Sequence, residues 1–185
     1  MTQDNYKPEI EILTTLDALK KNPDDYDMVF SVEDFITRDV FNPALSLDTS
    51  HERLGVELAL DGTPIVDRVT FDLITCWILV TQPRRILVHC KNGELAAGFA
   101  LFMFAVNCGK GGEDRAVAEL FAVKPDAACD ETIVGLVDDY LKSGGELCDA
   151  WSNGVYSTGL NRFRLLLSST RAWMENNHPN KASAA

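Results

Sequence analysis

Apolar and polar positions along the chain divide into short strand-like runs and longer helical ones. Ile12 to Lys21 has a short helical pattern, with Thr14 or Thr15 as cap, and Asn22-Pro23-Asp24-Asp25 breaks it. Asp27 to Asp34 (DMVFSVED) is rich in β-formers and predicts a strand. Phe35 to Arg53 reads as a loop with one short turn, and Val56 to Leu60 as a second strand. Thr63 and Pro64 suit a helix start, and the helix runs to about Val80 with Ile65, Val69, Leu73, Ile74 and Trp77 on one face. Gln82-Pro83 ends it. Arg85 to His89 has a wholly apolar centre, as in a strand buried on both faces. Cys90 to Glu94 is polar with one glycine, and Leu95 to Asn107 is an apolar helix. Helices at Gly112–Val123, Asp130–Lys142 and Arg162–Trp173 follow, with Ser152 to Gly159 between the last two as a linker. Strands alternating with helices predict an α/β domain: a small, mostly parallel central sheet flanked by helices. The expected organisation is a loose segment 1–9, a domain over 10–150, an extension over 151–175 and a mobile tail 176–185.

Composition narrows the class. The chain has 185 residues, 46% of them apolar, enough for one domain with a real core. Its net charge of −11 lacks the footprint of a nucleic-acid binder or of a protein drawn to anionic membranes. The longest apolar run, Leu95 to Cys108, is too short to span a bilayer, and the amino terminus shows no secretory pattern. The five cysteines form no C-x-x-C pair, which predicts free thiols in a reducing cytoplasm and no metal or other cofactor.

Candidate chemistry concentrates in one stretch, Ile86-Leu87-Val88-His89-Cys90-Lys91-Asn92-Gly93-Glu94-Leu95-Ala96-Ala97-Gly98. A buried strand passes through a polar loop directly into a helix, an arrangement that aims backbone N–H groups and the positive helix end at one point. Cys90 at the loop's first position sits in that field, which favours thiolate. Gly93 lets the loop close around a small anion. Glu94 is either a first-turn helix residue or an occluder of that anion site. Lys91 and Asn92 are most simply solvated loop residues.

These residues resemble the cysteine-dependent tyrosine and dual-specificity phosphatases, in particular small bacterial tyrosine-phosphatase-like proteins. Their loop reads His-Cys, five residues, Arg, then Ser or Thr. Val88-His89-Cys90-x-x-Gly93 matches its first half, in the correct strand–loop–helix context, and the similarity extends over roughly residues 10 to 150. The resemblance implies a phosphotyrosine phosphatase II-like fold and a bacterial or phage origin. It also implies Cys90 as the nucleophile position, His89 as an orienting residue, and a phosphate loop of His89, Lys91, Asn92, Gly93, Glu94, Leu95, Ala96 and Ala97. Asp61, after the strand Val56 to Leu60, falls near the position of the family's general acid, and Asp67 is a weaker candidate.

The sequence departs from the motif in its second half. The family's arginine falls at Ala96 and its hydroxyl residue at Ala97. Losing a bidentate grip on a phosphate costs on the order of 10²–10⁵ in rate. The expectation is therefore a pseudophosphatase that binds a phosphorylated protein, a small anionic ligand or a protein partner. A slow cysteine phosphatase with Lys91, Arg68, Arg84 or Arg85 as substitute cation is the alternative, and a purely structural protein the third. The 162–173 helix, with Arg162, Arg164 and Arg171 beside Leu165 to Leu167 and Trp173, either packs back on the body or serves a homodimer or partner contact.

Overall fold

A computed structural model of the chain describes residues 7–33, 50–58 and 64–160. It divides into two units, 1–151 and 152–185. The first is built on β1 (Glu9–Thr14), α1 (Thr15–Ala18), β2 (Met28–Glu33), β3 (Ser50–Gly55), β4 (Glu57–Leu58), β5 (Pro64–Ile65), α2 (Arg68–Thr81), β6 (Arg85–Cys90), α3 (Glu94–Cys108), α4 (Glu113–Val123) and α5 (Glu131–Leu141). Four strands pair in the order β1-β6-β2-β3, all parallel, so β6 lies inside the sheet as its apolar centre predicts. The expected α/β architecture is what the chain adopts.

The two sheet faces are unequal. Ile10, Ile12, Met28, Phe30, Val32, Ile86, Val88 and Cys90 join the main core with the helices, whereas Leu13, Val29 and Leu87 pack with Ala18 and Tyr26 in a small second cluster. On the thick side α3 is the central helix, buried without a break from Ala96 to Ala105. A helix that is apolar all round must be covered on every side. Phe71 of α2 and Tyr140 of α5 meet Phe102 of α3 at ring distances of 4.9 and 5.4 Å. Residues 146–151 are helical and end the first unit, with Trp151 stacked on Phe121 at 5.5 Å. Buried Asp138 ties α5 to this segment by accepting from the N–H groups of Gly145 (2.7 Å) and Leu147 (2.9 Å).

Several elements differ from their sequence-based expectation. Glu9 to Thr14 is a strand, not the start of a helix or a loose end, because alternate Ile10 and Ile12 are buried; the helix keeps only Thr15–Ala18, with Thr14 as its cap. Ser50–Gly55 forms the edge strand β3 inside the expected loop. Of the expected strand 56–60, Glu57 and Leu58 pair antiparallel with Pro64 and Ile65, so Pro64 sits in a strand and not at a helix start. Helix α2 begins at Arg68 with Asp67 as its cap, accepting from the Thr70 N–H. It buries Phe71, Ile74 and Ile78, while Val69 and Leu73 face outward with Ile65. Cys76 is exposed as well. Residues 152–160 of the second unit are helical where a linker is expected. No helix among the described residues is long and apolar enough to cross a membrane.

Gly98 sets how closely α3 and α5 approach. A β-carbon there would lie 2.6 Å from Ile133 Cγ2, and both neighbours are wholly buried. Gly98→Ala therefore overpacks the core and costs about 1–3 kcal/mol, despite the better helix propensity of alanine. Urea denaturation should show the lower midpoint, and combination with Ile133→Ala, which removes the clashing Cγ2, should cost less than the sum of the two single changes.

Candidate functional site

Cys90 is the last residue of β6, and three residues, 91–93, separate it from α3. The loop is shorter than expected, because Glu94 already belongs to the helix. Gly93 occupies its amino-terminal cap with φ +89°, a left-handed conformation that favours glycine. The cap residue itself has no side chain to offer α3. The open N–H groups turn instead to the cysteine: Gly93 N donates to Cys90 Sγ at 3.1 Å and Ala96 N at 3.3 Å. Asn92 holds the outer side of the loop. Its Oδ1 accepts from Glu94 N at 3.2 Å and lies 3.7 Å from Sγ, where it accepts the thiol proton.

The balance of forces on Cys90 differs from the thiolate expected at a helix end. The residue is 2% exposed. Burial pushes its thiol above the ordinary cysteine range, and N–H donors from Ala96, Gly93, Asn92 and Leu95 oppose this only in part. A neutral S–H donating to Asn92 is the consistent resting state.

His89 lies on the other sheet face, 1% exposed, at the start of a polar chain. Its Nε2 is 2.7 Å from Ser31 Oγ, which is 2.7 Å from His51 Nε2 on β3. One hydroxyl proton serves only one imidazole, so Ser31 donates to one ring and accepts from the other. His89 Nδ1 completes the chain at 3.3 Å from Thr15 Oγ1. Burial, helped by the nearby His51, lowers the His89 pKa to about 4. His89 is thus neutral near pH 7.

The remaining candidates separate clearly. Ala96 and Ala97 are fully buried in the first turn of α3, Leu95 is half-buried, and Lys91, Asn92 and Glu94 are exposed. Glu94 is a first-turn residue open to solvent. Arg84 and Arg85 stand at the opposite end of β6, about 16 Å from Cys90 at the usual strand rise. Arg85 packs over the Tyr26 ring there. Arg68 sits over the Tyr140 ring and reaches Asp72 at 4.0 Å. Asp67 is spent on capping α2. Asp61 and the 162–173 helix lie outside the described residues. Sequence reasoning missed Lys124, at the end of α4, whose Cε comes within 3.9 Å of the β-carbon position of Gly93. No local pattern marks it, since its place depends on how α4 packs on α3. Among the described residues, no group of three or more His, Cys, Asp or Glu is placed to hold a metal ion.

Comparison with solved structures settles the fold. The chain superposes on a human tyrosine phosphatase-like serine/threonine/tyrosine-interacting protein with a TM-score of 0.55 at 14% identity, covering 74% of this chain and 93% of that one. It has a protein tyrosine phosphatase-like fold. A second neighbour with the same fold, Tk-PTP in its active form, gives 0.52 at 13% identity over 77% of this chain and 99% of its own. No protein-family model and no curated protein matches the sequence. In this phosphatase-like fold Cys90 stands at the carboxyl ends of the parallel strands, where open α/β sheets bind ligands.

Two outcomes test this geometry. At pH 7.5 iodoacetamide should label exposed Cys76 well before Cys90, as read by peptide mass spectrometry; a faster reaction at Cys90 would mean an accessible thiolate. His89 has a folded pKa below its unfolded value, so its contribution is complete above about pH 6.5. It is lost as pH falls toward 4, by on the order of 2–3 kcal/mol. Denaturation at pH 7 and pH 5 should show this loss, and Ser31→Ala should lower stability at both values by about 1–3 kcal/mol.

Proposed function

We propose that this chain is a phosphatase-like protein with impaired hydrolytic chemistry, a pseudophosphatase whose Cys90 cradle holds a phosphorylated or otherwise anionic ligand. One observation carries the reading. The loop aims backbone donors at a single point, yet Ala96 and Ala97 stand where a phosphate grip and a leaving-group donor are needed, and both are sealed in the core.

Binding and turnover make different demands on such a site. Holding an oxyanion needs N–H donors and the positive helix end; the start of α3 supplies both, and an anion seated over Cys90 would share with Sγ the N–H groups of Gly93 and Ala96. Turnover needs a thiolate nucleophile and a fixed cation that strengthens its grip in the transition state. Here burial keeps the sulfur protonated, its S–H donating to Asn92 Oδ1, and neither alanine can make a bidentate contact. The two structural neighbours are described as a phosphatase-like interacting protein and as a phosphatase in active form, so the fold accommodates both behaviours. The chemistry of Cys90, Asn92, Ala96 and Ala97 supports a reading of this chain nearer the former.

Steady-state hydrolysis of a small aryl phosphate tests the proposal. The wild type should turn over no faster than Cys90→Ser. Ala96→Arg combined with Ala97→Ser, once shown to unfold cooperatively, should gain turnover over both. Wild-type hydrolysis that disappears in Cys90→Ser would overturn the reading and establish a slow phosphatase.

A further inference from the structure

The geometry over Gly93 identifies a cation that no local motif announces. Lys124 follows the last turn of α4 and precedes Pro125, which disfavours the helical conformation for it. Its backbone accordingly leaves the helix at φ −132° and ψ 87°. That position is fixed by hydrogen bonds: Lys124 N donates to Leu120 O at 2.8 Å, and Ala127 N donates to Lys124 O at 2.9 Å. The side chain then approaches the Cys90 loop, with Cε 3.9 Å from the place a β-carbon on Gly93 would take. It is only 24% exposed, and Nζ lies 3.5 Å from Asp126 Oδ1, whose own side chain is 69% exposed. The lysine charge is also felt by Asp17, just beyond the carboxyl end of β1, although hydrogen bonds from Lys20 and Thr14 weigh more there. Thr14 is the register partner of Cys90 and hydrogen-bonds Asp17, so Asp17 too lies by the carboxyl edge of the sheet.

We propose that Lys124 is the cation of the Cys90 anion site: it leaves Asp126 and pairs with the oxygens of a phosphate-sized oxyanion held by the N–H groups of the loop. The proposal rests on the anion-binding reading of that loop. It also explains how an acidic chain without an arginine at position 96 holds an anion there. An ammonium is a point charge on a flexible stem, not a rigid fork. It attracts the anion without fixing the geometry that phosphoryl transfer requires. Asp126 is its competitor and limits affinity. The ligand class is a phosphomonoester group or another tetrahedral oxyanion of that size.

Calorimetric titration of the full chain with sodium tungstate and with inorganic phosphate tests this. Lys124→Gln should weaken binding about tenfold or more, while Lys124→Arg stays within a few-fold of wild type. Asp126→Asn should tighten binding about two- to fivefold, because it frees the ammonium. Lys110→Gln, beyond the far end of α3, removes the same charge and should leave affinity near wild type. Thermal unfolding without ligand verifies that each variant is folded. Equal affinity in wild type and Lys124→Gln, or no tightening in Asp126→Asn, overturns the role of Lys124 and leaves the anion site standing. Absence of tungstate and phosphate binding by the wild type overturns the anion site itself, and the proposal with it.

Discussion

The passage from β6 into α3 constrains everything around it. Both elements are buried, and only three residues join them. The first N–H groups of a helix have no partners within it, and burying them unpaired is costly. A serine, threonine, aspartate or asparagine usually meets that need. Here Gly93 holds the cap position with no side chain to offer, and the donors converge on Cys90 Sγ. The sulfur is therefore the helix cap as well as the floor of the cradle. This gives Cys90 a structural reason to be present whether or not it reacts. It also makes serine, whose shorter bonds place an oxygen nearer the backbone, an imperfect structural substitute.

The same passage separates two chemistries by sheet face. Side chains alternate along β6, so Cys90 points to the helical side and His89 to the thin side. The His89–Ser31–His51 chain crosses three adjacent strands on that thin side. It locks the end of β6 against β2 and β3, and it keeps the ring adjacent in sequence to Cys90 neutral. No imidazolium therefore contributes charge to the sulfur. The burial that secures the strand–helix passage also suppresses the thiolate, so stability and nucleophilicity oppose each other at this residue.

How much of this was legible in the sequence depended on whether a contact was local. The buried strand, the glycine turn and the apolar helix lie side by side in the chain, so the cradle could be read from residues 86 to 98. The edge strand Ser50–Gly55 could not, because its sequence SHERLG carries little apolar signal and its identity comes from pairing with β2. The buried side of α2 was misread for a different reason. Apolar residues occupy nearly every position from Val69 to Val80, so periodicity could not decide between Val69 and Leu73 on one side and Phe71 and Ile78 on another. The polar chain under the sheet needed three strands aligned in register. Lys124 is the furthest case: 34 residues separate it from Cys90, and only the packing of α4 against α3 joins them.

These placements bear on what selection of this site by chemistry means. An arginine at position 96 would emerge from the first turn of α3, fixed to the same backbone that donates to the sulfur. Its charge would stay registered with the loop in every state of the ligand. Lys124 reaches the loop from another helix, on a flexible stem, and shares its charge with Asp126. Its contribution strengthens whenever an anion competes successfully with that carboxylate. That is an interaction made equally with a bound ligand and with a transition state, which supports affinity without lowering a barrier. With the sulfur neutral, His89 neutral and the proposed cation on a flexible stem, these placements support the proposed reading, in which the site retains an anion and does not convert it.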